Sequence, residues 1–114
     1  MGLHAKIFRP PTDVYETADA VVVRVEVAGM DEHDFSIDLG RRMLVVSGRR
    51  LDRSSSKIAY QQMEVFYGDF RTEVYLPFPI NQAAVEATYR DGFLVITLPK
   101  ANVLRVPVSP AGGG

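Results

Sequence analysis

The residues of this chain that could do chemistry are few and scattered. His4 and His33 are its 2 histidines. Neither stands at helical or hairpin metal-ligand spacing with acidic neighbours. His33, inside E-H-D, reads as a solvated turn residue. The chain has no cysteine, which excludes disulfides and thiolate metal sites. It contains neither a G-x-S-x-G elbow nor a phosphate-cradling G-x-x-x-x-G-K loop. These observations point away from an enzyme and imply no cofactor and no metal. Arg41, Arg42, Arg49, Arg50 and Arg53 crowd one short stretch. Such a cluster could bind RNA or phospholipid headgroups. It is also what a solvated hairpin needs to blunt an exposed sheet edge. The formal net charge of −1 favours the second reading, because no whole-chain field draws in nucleic acid or a membrane.

The elements that must carry these residues are strands. With 114 residues, 46% apolar and 24% charged, the chain suits one globular domain. At 20–28 the sequence reads A-V-V-V-R-V-E-V-A. Val21, Val23, Val25 and Val27 share one face, with Arg24 and Glu26 on the other, the period of a half-buried antiparallel strand. Residues 34–39 repeat the pattern, with Phe35, Ile37 and Leu39 inward. Gly40-Arg41-Arg42 then turns the chain into a strand over 43–47. Residues 70–76 place Phe70, Thr72, Val74 and Leu76 on one face, ended by Pro77 and Pro79. Strands at 85–90 and 93–98 flank Asp91-Gly92, a strong hairpin signal. A short strand at 13–16 precedes the first long one. No segment carries a helical stripe, and 81–85 allows one turn at most. Short strands with Gly and Pro turns predict an all-β sandwich or barrel.

Two regions exceed a minimal sandwich. Residues 51–69 start polar (Asp52 to Ser56) and become apolar and β-prone (Ile58, Tyr60, Met63, Val65, Phe66, Tyr67). A connection this long is functional or disordered in most compact domains. Its composition suggests a flexible stem followed by a strand in need of a partner. Tyr60, Phe66, Tyr67 and Phe70 could stack bases, though dimer contacts and core explain them more simply. The tail carries Val106-Pro107-Val108. Pro107 holds the segment extended, so the two valines project to one side and suit docking on a sheet edge. A frayed tail is the bland alternative. Its linker of ~6 residues reaches at most ~20 Å, so docking must be local or on an adjacent subunit. Residues 1–9 hold no apolar run of signal-peptide length, and no stretch approaches the ~20 apolar residues of a membrane span. A cytoplasmic address is expected.

An ordered set of motifs resembles one known family. A-T-Y-R-D-G-F-L at 87–94 resembles the hallmark A-x-x-x-N/D-G-x-L of the α-crystallin domain, on Ala87, Asp91, Gly92 and Leu94. V-I-T-L-P-K at 95–100 is similar to the close of that domain. R-P-P-T-D-V-Y-E-T at 9–17 is similar to its opening, A-G-M at 28–30 to its P-G-hydrophobic turn, L-V-V-S-G-R-R at 44–50 to L-T-I-S-G-E-R, and Y-G-D-F at 67–70 to Y-G-x-F. V-P-V matches the tail motif I/V-x-I/V. The chain is thereby identified as resembling the small heat-shock proteins. One departure stands out: G-D-F-R-T puts Arg71 one place early and Thr72 at the usual Arg position, so the family's inter-subunit charge pair is not carried over.

The resemblance implies an immunoglobulin-like sandwich of two antiparallel sheets over 10–100, a short arm over 1–9 and an extension over 101–114. It implies a homodimer in which a strand from the long loop crosses to the partner. Ile58, Tyr60 and Met63 would then meet the partner's first strand at Asp13, Val14 and Tyr15. It implies that Val106, Pro107 and Val108 dock in a groove formed by Ile37, Leu39, Val85 and Ala87, building larger homo-oligomers. The implied function is an ATP-independent holdase for unfolding client proteins, with no nucleic acid and no membrane as partner. A short arm would weaken that activity. The rival readings are a co-chaperone-like sandwich that binds one folded partner, and an RNA-binding module using the Arg41/Arg42 hairpin.

Overall fold

The structure is a computed structural model, and it describes residues 6–54, 56, 59–102 and 106–112. Its strands are β1 (Thr12–Glu16), β2 (Ala20–Glu26), β3 (Phe35–Leu39), β4 (Met43–Arg50), β5 (Gly68–Tyr75), β6 (Glu86–Arg90) and β7 (Phe93–Pro99). They form two antiparallel sheets, one of 4 strands in the order β1-β2-β7-β6 and one of 3 in the order β3-β4-β5. Single 3₁₀ turns at Glu32–Asp34 and Gln82–Ala84 precede β3 and β6. This is the predicted all-β sandwich.

The period-2 pattern explains how the sheets meet. Register pairs Val21 with Leu98, Val23 with Ile96 and Val25 with Leu94. All six side chains are buried, facing Leu44 and Val46 of β4 and Phe70 and Val74 of β5. Each such burial contributes ~1.5–3 kcal/mol against the exposed state. Thr72 joins this face and is buried too, as its place in the alternation predicts.

Two glycines are required by geometry. In the β6–β7 hairpin Asp91 and Gly92 have φ of 54° and 82°, the mirror-image turn whose twist matches the strands. Gly92 also lies against the β2–β3 turn: its carbonyl accepts from the Val27 amide at 2.8 Å, and a Cβ there would sit 3.2 Å from that of Ala28. Gly48 has a different reason. A Cβ at this position would lie 2.7 Å from the Phe70 ring and 2.8 Å from the Asp34 carbonyl oxygen. The ring of the paired residue therefore occupies the space that a side chain would need.

The structure departs from the sequence expectations in several places, among them β5, which runs from Gly68 to Tyr75 and not over 70–76. β4 continues past residue 47 to Arg50, since Gly48, Arg49 and Arg50 keep pairing with Phe70, Asp69 and Gly68. Glycine reads as a strand breaker in isolation, but here the Phe70 ring covers it. Ile37 lies opposite Val46 and so faces inward, yet it remains 36% exposed because β3 is an edge strand. Phe8 lies outside every strand that the sequence pattern predicts. It forms a parallel bridge to Phe70, donating from its amide to the Asp69 carbonyl at 3.1 Å and accepting from the Arg71 amide at 3.0 Å.

Candidate functional site

The two sheets leave three features unsatisfied within one chain. The first is a cleft between β3 and β6, the edge strands on one side of the sandwich. Its volume is ≈ 410 Å³, and Ile37, Phe35, Ala87 and Tyr89 line it. Phe35 and Tyr89 close one end, with ring centroids 5.0 Å apart. Tyr89 is held there by its hydroxyl, which donates to the Val27 carbonyl at 2.7 Å and accepts from the Met30 amide at 3.3 Å. Of the four expected groove residues, Ile37 and Ala87 line this cleft. Leu39 and Val85 pack against the core instead. Leu39 ends β3 and Val85 directly precedes β6, and both are half-buried there. His33 lines the outer rim, 3.5 Å from Glu32 and almost fully exposed.

The second feature is the outer edge of β1. This strand pairs with β2 on one side only, and Val14 and Tyr15 are exposed on it. Asp13 binds Arg24 at 2.7 Å. The hydrogen bond from Arg24 to Asp13, then the carboxylate's charge, raise the guanidinium above its ordinary value. Arg24 lies between the Tyr15 and Phe93 rings at 5.8 and 6.0 Å.

The third feature is the long loop. Its last two residues, Gly68 and Asp69, already belong to β5, and among the described residues of 51–67 no strand forms. Tyr60, Met63, Val65, Phe66 and Tyr67 all remain exposed, and Met63 to Tyr67 line a hollow of ≈ 590 Å³. The Tyr60 hydroxyl donates to Asp52 at 3.1 Å, so the stem and the apolar half of the loop touch. Ile58, the third expected dimer contact, lies outside the described residues. In the tail, Val106 is 75% and Val108 96% exposed, so neither valine is packed into the sandwich of this chain.

The arginine cluster is divided by the fold. Arg49 pairs with Asp69 at 3.4 Å and Arg53 with Asp31 at 3.3 Å. Arg50 turns inward to the carbonyl of Phe66. Arg41 and Arg42 stay exposed in the β3–β4 turn. Arg71 pairs with Glu73 of its own strand at 2.9 Å. Among the described residues no group of His, Asp and Glu is placed to hold a metal ion, and no helix is long and apolar enough to cross a membrane. Sequence reasoning missed Phe8, an aromatic residue outside any strand pattern, and it grouped Arg50 with its basic neighbours without the contacts that Arg50 makes at the end of β4.

Comparison with known proteins gives consistent findings. Residues 13–107 match the sequence model of the Hsp20/alpha crystallin family. Small heat shock protein C2 of Rickettsia felis is 34% identical over 92 residues, which cover 80% of this chain and 60% of that protein. Heat shock protein 16 of Schizosaccharomyces pombe is 30% identical over 96 residues, covering 82% of this chain and 67% of that protein. The chain spans about three fifths of the length of the first two curated relatives, 60% and 59%. Among solved structures, heat shock protein 16.0 from S. pombe superposes with a TM-score of 0.76 at 27% identity, over 91% of this chain and 97% of that one. A small heat-shock protein from Xylella fastidiosa gives 0.79 at 24% identity, over 95% and 100%, a likeness of fold.

Proposed function

This chain belongs to the Hsp20/alpha crystallin family, and from that premise we propose that it is an ATP-independent chaperone that holds unfolding proteins against aggregation. The observation that carries the reading is the exposure of large apolar side chains on two segments outside the sandwich. Tyr60, Met63, Val65 and Phe66 do this on the loop, and Val106 and Val108 on the tail. A protein that captures aggregating clients needs apolar surface that is covered at rest and uncovered reversibly. Segments that dock on another copy supply it without catalysis.

In this reading the loop covers the free β1 edge of a partner at Asp13 to Tyr15, forming a homodimer. The V-P-V tail fills the β3–β6 cleft, joining dimers into larger homo-oligomers. The cleft suits an extended apolar segment: it has two open strand edges and apolar residues, Ile37 and Ala87, at its wall. The X. fastidiosa relative is described as having a distinct high order structure, and an assembled state is proposed here too. A cytoplasmic address fits this work.

The test is light-scattering mass combined with suppression of aggregation of a heat-denatured client, in the absence of ATP. A stable assembly that keeps the client soluble is expected. A strictly monomeric protein that leaves client aggregation unchanged would overturn the proposal.

A further inference from the structure

Arg50 stands where three separate stretches of chain meet. It ends β4, and its guanidinium donates to the Phe66 carbonyl from Nε at 2.9 Å and from a terminal nitrogen as well. A second terminal nitrogen donates to the Ala28 carbonyl at 3.3 Å in the β2–β3 turn. The same cation lies 5.0 Å from the Phe8 ring centroid and 5.5 Å from that of Tyr67. Phe8 in turn stacks on Phe66 at 5.8 Å and leans on Phe70 at 5.6 Å. A planar fork suits this work, because it can cap one carbonyl with two parallel N–H groups while its faces meet aromatic rings. Phe66 itself stays exposed, so contact with the core does not hold the loop's root; the fork and the Phe8 ring do.

We propose that Arg50 is a positioning residue that couples the N-terminal segment at Phe8 to the root of the long loop. A second copy of this chain seated on the loop then tightens Phe8, and displacement of Phe8 loosens that copy's seat. Linkage makes the two effects equal in free energy. The consequence for assembly rests on the loop being a contact between copies; the coupling inside one chain does not.

The experiment compares wild type with Arg50→Met, Phe8→Leu and the double variant. Met keeps the apolar stem and removes the donors. Leu keeps bulk and removes the ring face. Chymotrypsin cleavage after Phe66 and Tyr67 is timed by mass spectrometry at a dilution where the protein is monomeric. Cleavage after Leu94, buried in the interior strand β7, reports opening of the whole sandwich and serves as the reference rate. Relative to that reference, Arg50→Met should speed loop cleavage roughly tenfold, the scale of a charge-assisted hydrogen bond at a partly exposed site. Phe8→Leu should speed it roughly threefold, the scale of a surface cation–π contact. The double variant should exceed Arg50→Met only slightly and fall short of the product of the two single effects, because Phe8 keeps its direct stack on Phe66. Loop cleavage at the wild-type rate in Arg50→Met, or single effects that multiply in the double variant, would overturn the coupling. Sedimentation equilibrium on the same variants should show weaker self-association in both singles. A wild type that never self-associates defeats the assembly reading and leaves the cleavage test to decide the coupling.

Discussion

Thr12 in β1 and Thr72 in β5 face each other across the sandwich with their hydroxyl oxygens 3.0 Å apart. The two strands belong to different sheets, so this is a polar link between largely apolar surfaces. Its direction follows from the neighbours. The Thr12 hydroxyl donates to the Pro10 carbonyl at 2.9 Å, which spends its one hydrogen. Thr12 must therefore accept, and Thr72 donate. Thr72 is 1% exposed, so water cannot replace a lost partner.

The asymmetry predicts unequal effects of equal chemistry. Thr12→Val leaves the Thr72 hydroxyl buried without an acceptor and should cost ~1–3 kcal/mol. Thr72→Val removes the buried hydroxyl itself and leaves Thr12 bonded to Pro10, so it should cost under ~1 kcal/mol. The double variant should be more stable than Thr12→Val alone. Urea denaturation of all three decides this; equal losses in the two singles would refute the assigned direction.

Gly48→Ala should be destabilising although Ala is the smallest possible addition. The new methyl would lie 2.7 Å from the Phe70 ring and 2.8 Å from the Asp34 carbonyl oxygen. The ring is wedged by Phe35 and Phe8 at 6.1 and 5.6 Å, and the carbonyl is backbone, so neither yields without strain. A loss of ~1–3 kcal/mol is expected, read as a lower urea midpoint at unchanged slope.

Replacing Val106 and Val108 with Gly should shrink the assembly while leaving the sandwich intact. Both side chains are exposed in the single chain, so the monomer should lose no more than ~0.5 kcal/mol. Ile37→Glu at the cleft should act in the same direction, because it places a charge where the tail would dock. Light-scattering mass checks both; an assembly of unchanged size would separate the tail from oligomerisation.

Met63→Lys should weaken self-association at least ~tenfold, the effect of a charge in a desolvated contact. Met63 is 60% exposed in the single chain, so the melting temperature under monomeric conditions should not move. Concentration-dependent sedimentation measures the first effect and calorimetry the second. A drop in monomer stability would place Met63 in the fold instead of at an interface.

Most of the fold was legible because a strand with one buried face writes its register into the sequence. Val23, Val25 and Val27 alternate with the charged Arg24 and Glu26, and Phe70, Thr72 and Val74 with Arg71 and Glu73; a slip of one residue would turn those charges into the core. The Asp91-Gly92 turn was legible for a similar reason, since two successive positive φ angles leave few residue choices. The candidate site was legible in part. Alternation puts Ile37 and Ala87 on inward faces, but it cannot say that the cleft stays open at Ile37 while Leu39 and Val85 close against the core.

By itself, then, the sequence determined which residues form strands, which faces turn inward, and which apolar residues of the loop and tail find no place in that pattern. Periodicity is a local property, and burial rewards it locally. Only the tertiary structure decided which strands became edges, that Phe70 covers Gly48, that Thr12 and Thr72 meet, and that Phe8 and Arg50 converge on Phe66. Those contacts join residues far apart in the chain, including 60 positions between Thr12 and Thr72. Their partners are chosen by how two twisted sheets stack, which no short window of residues specifies.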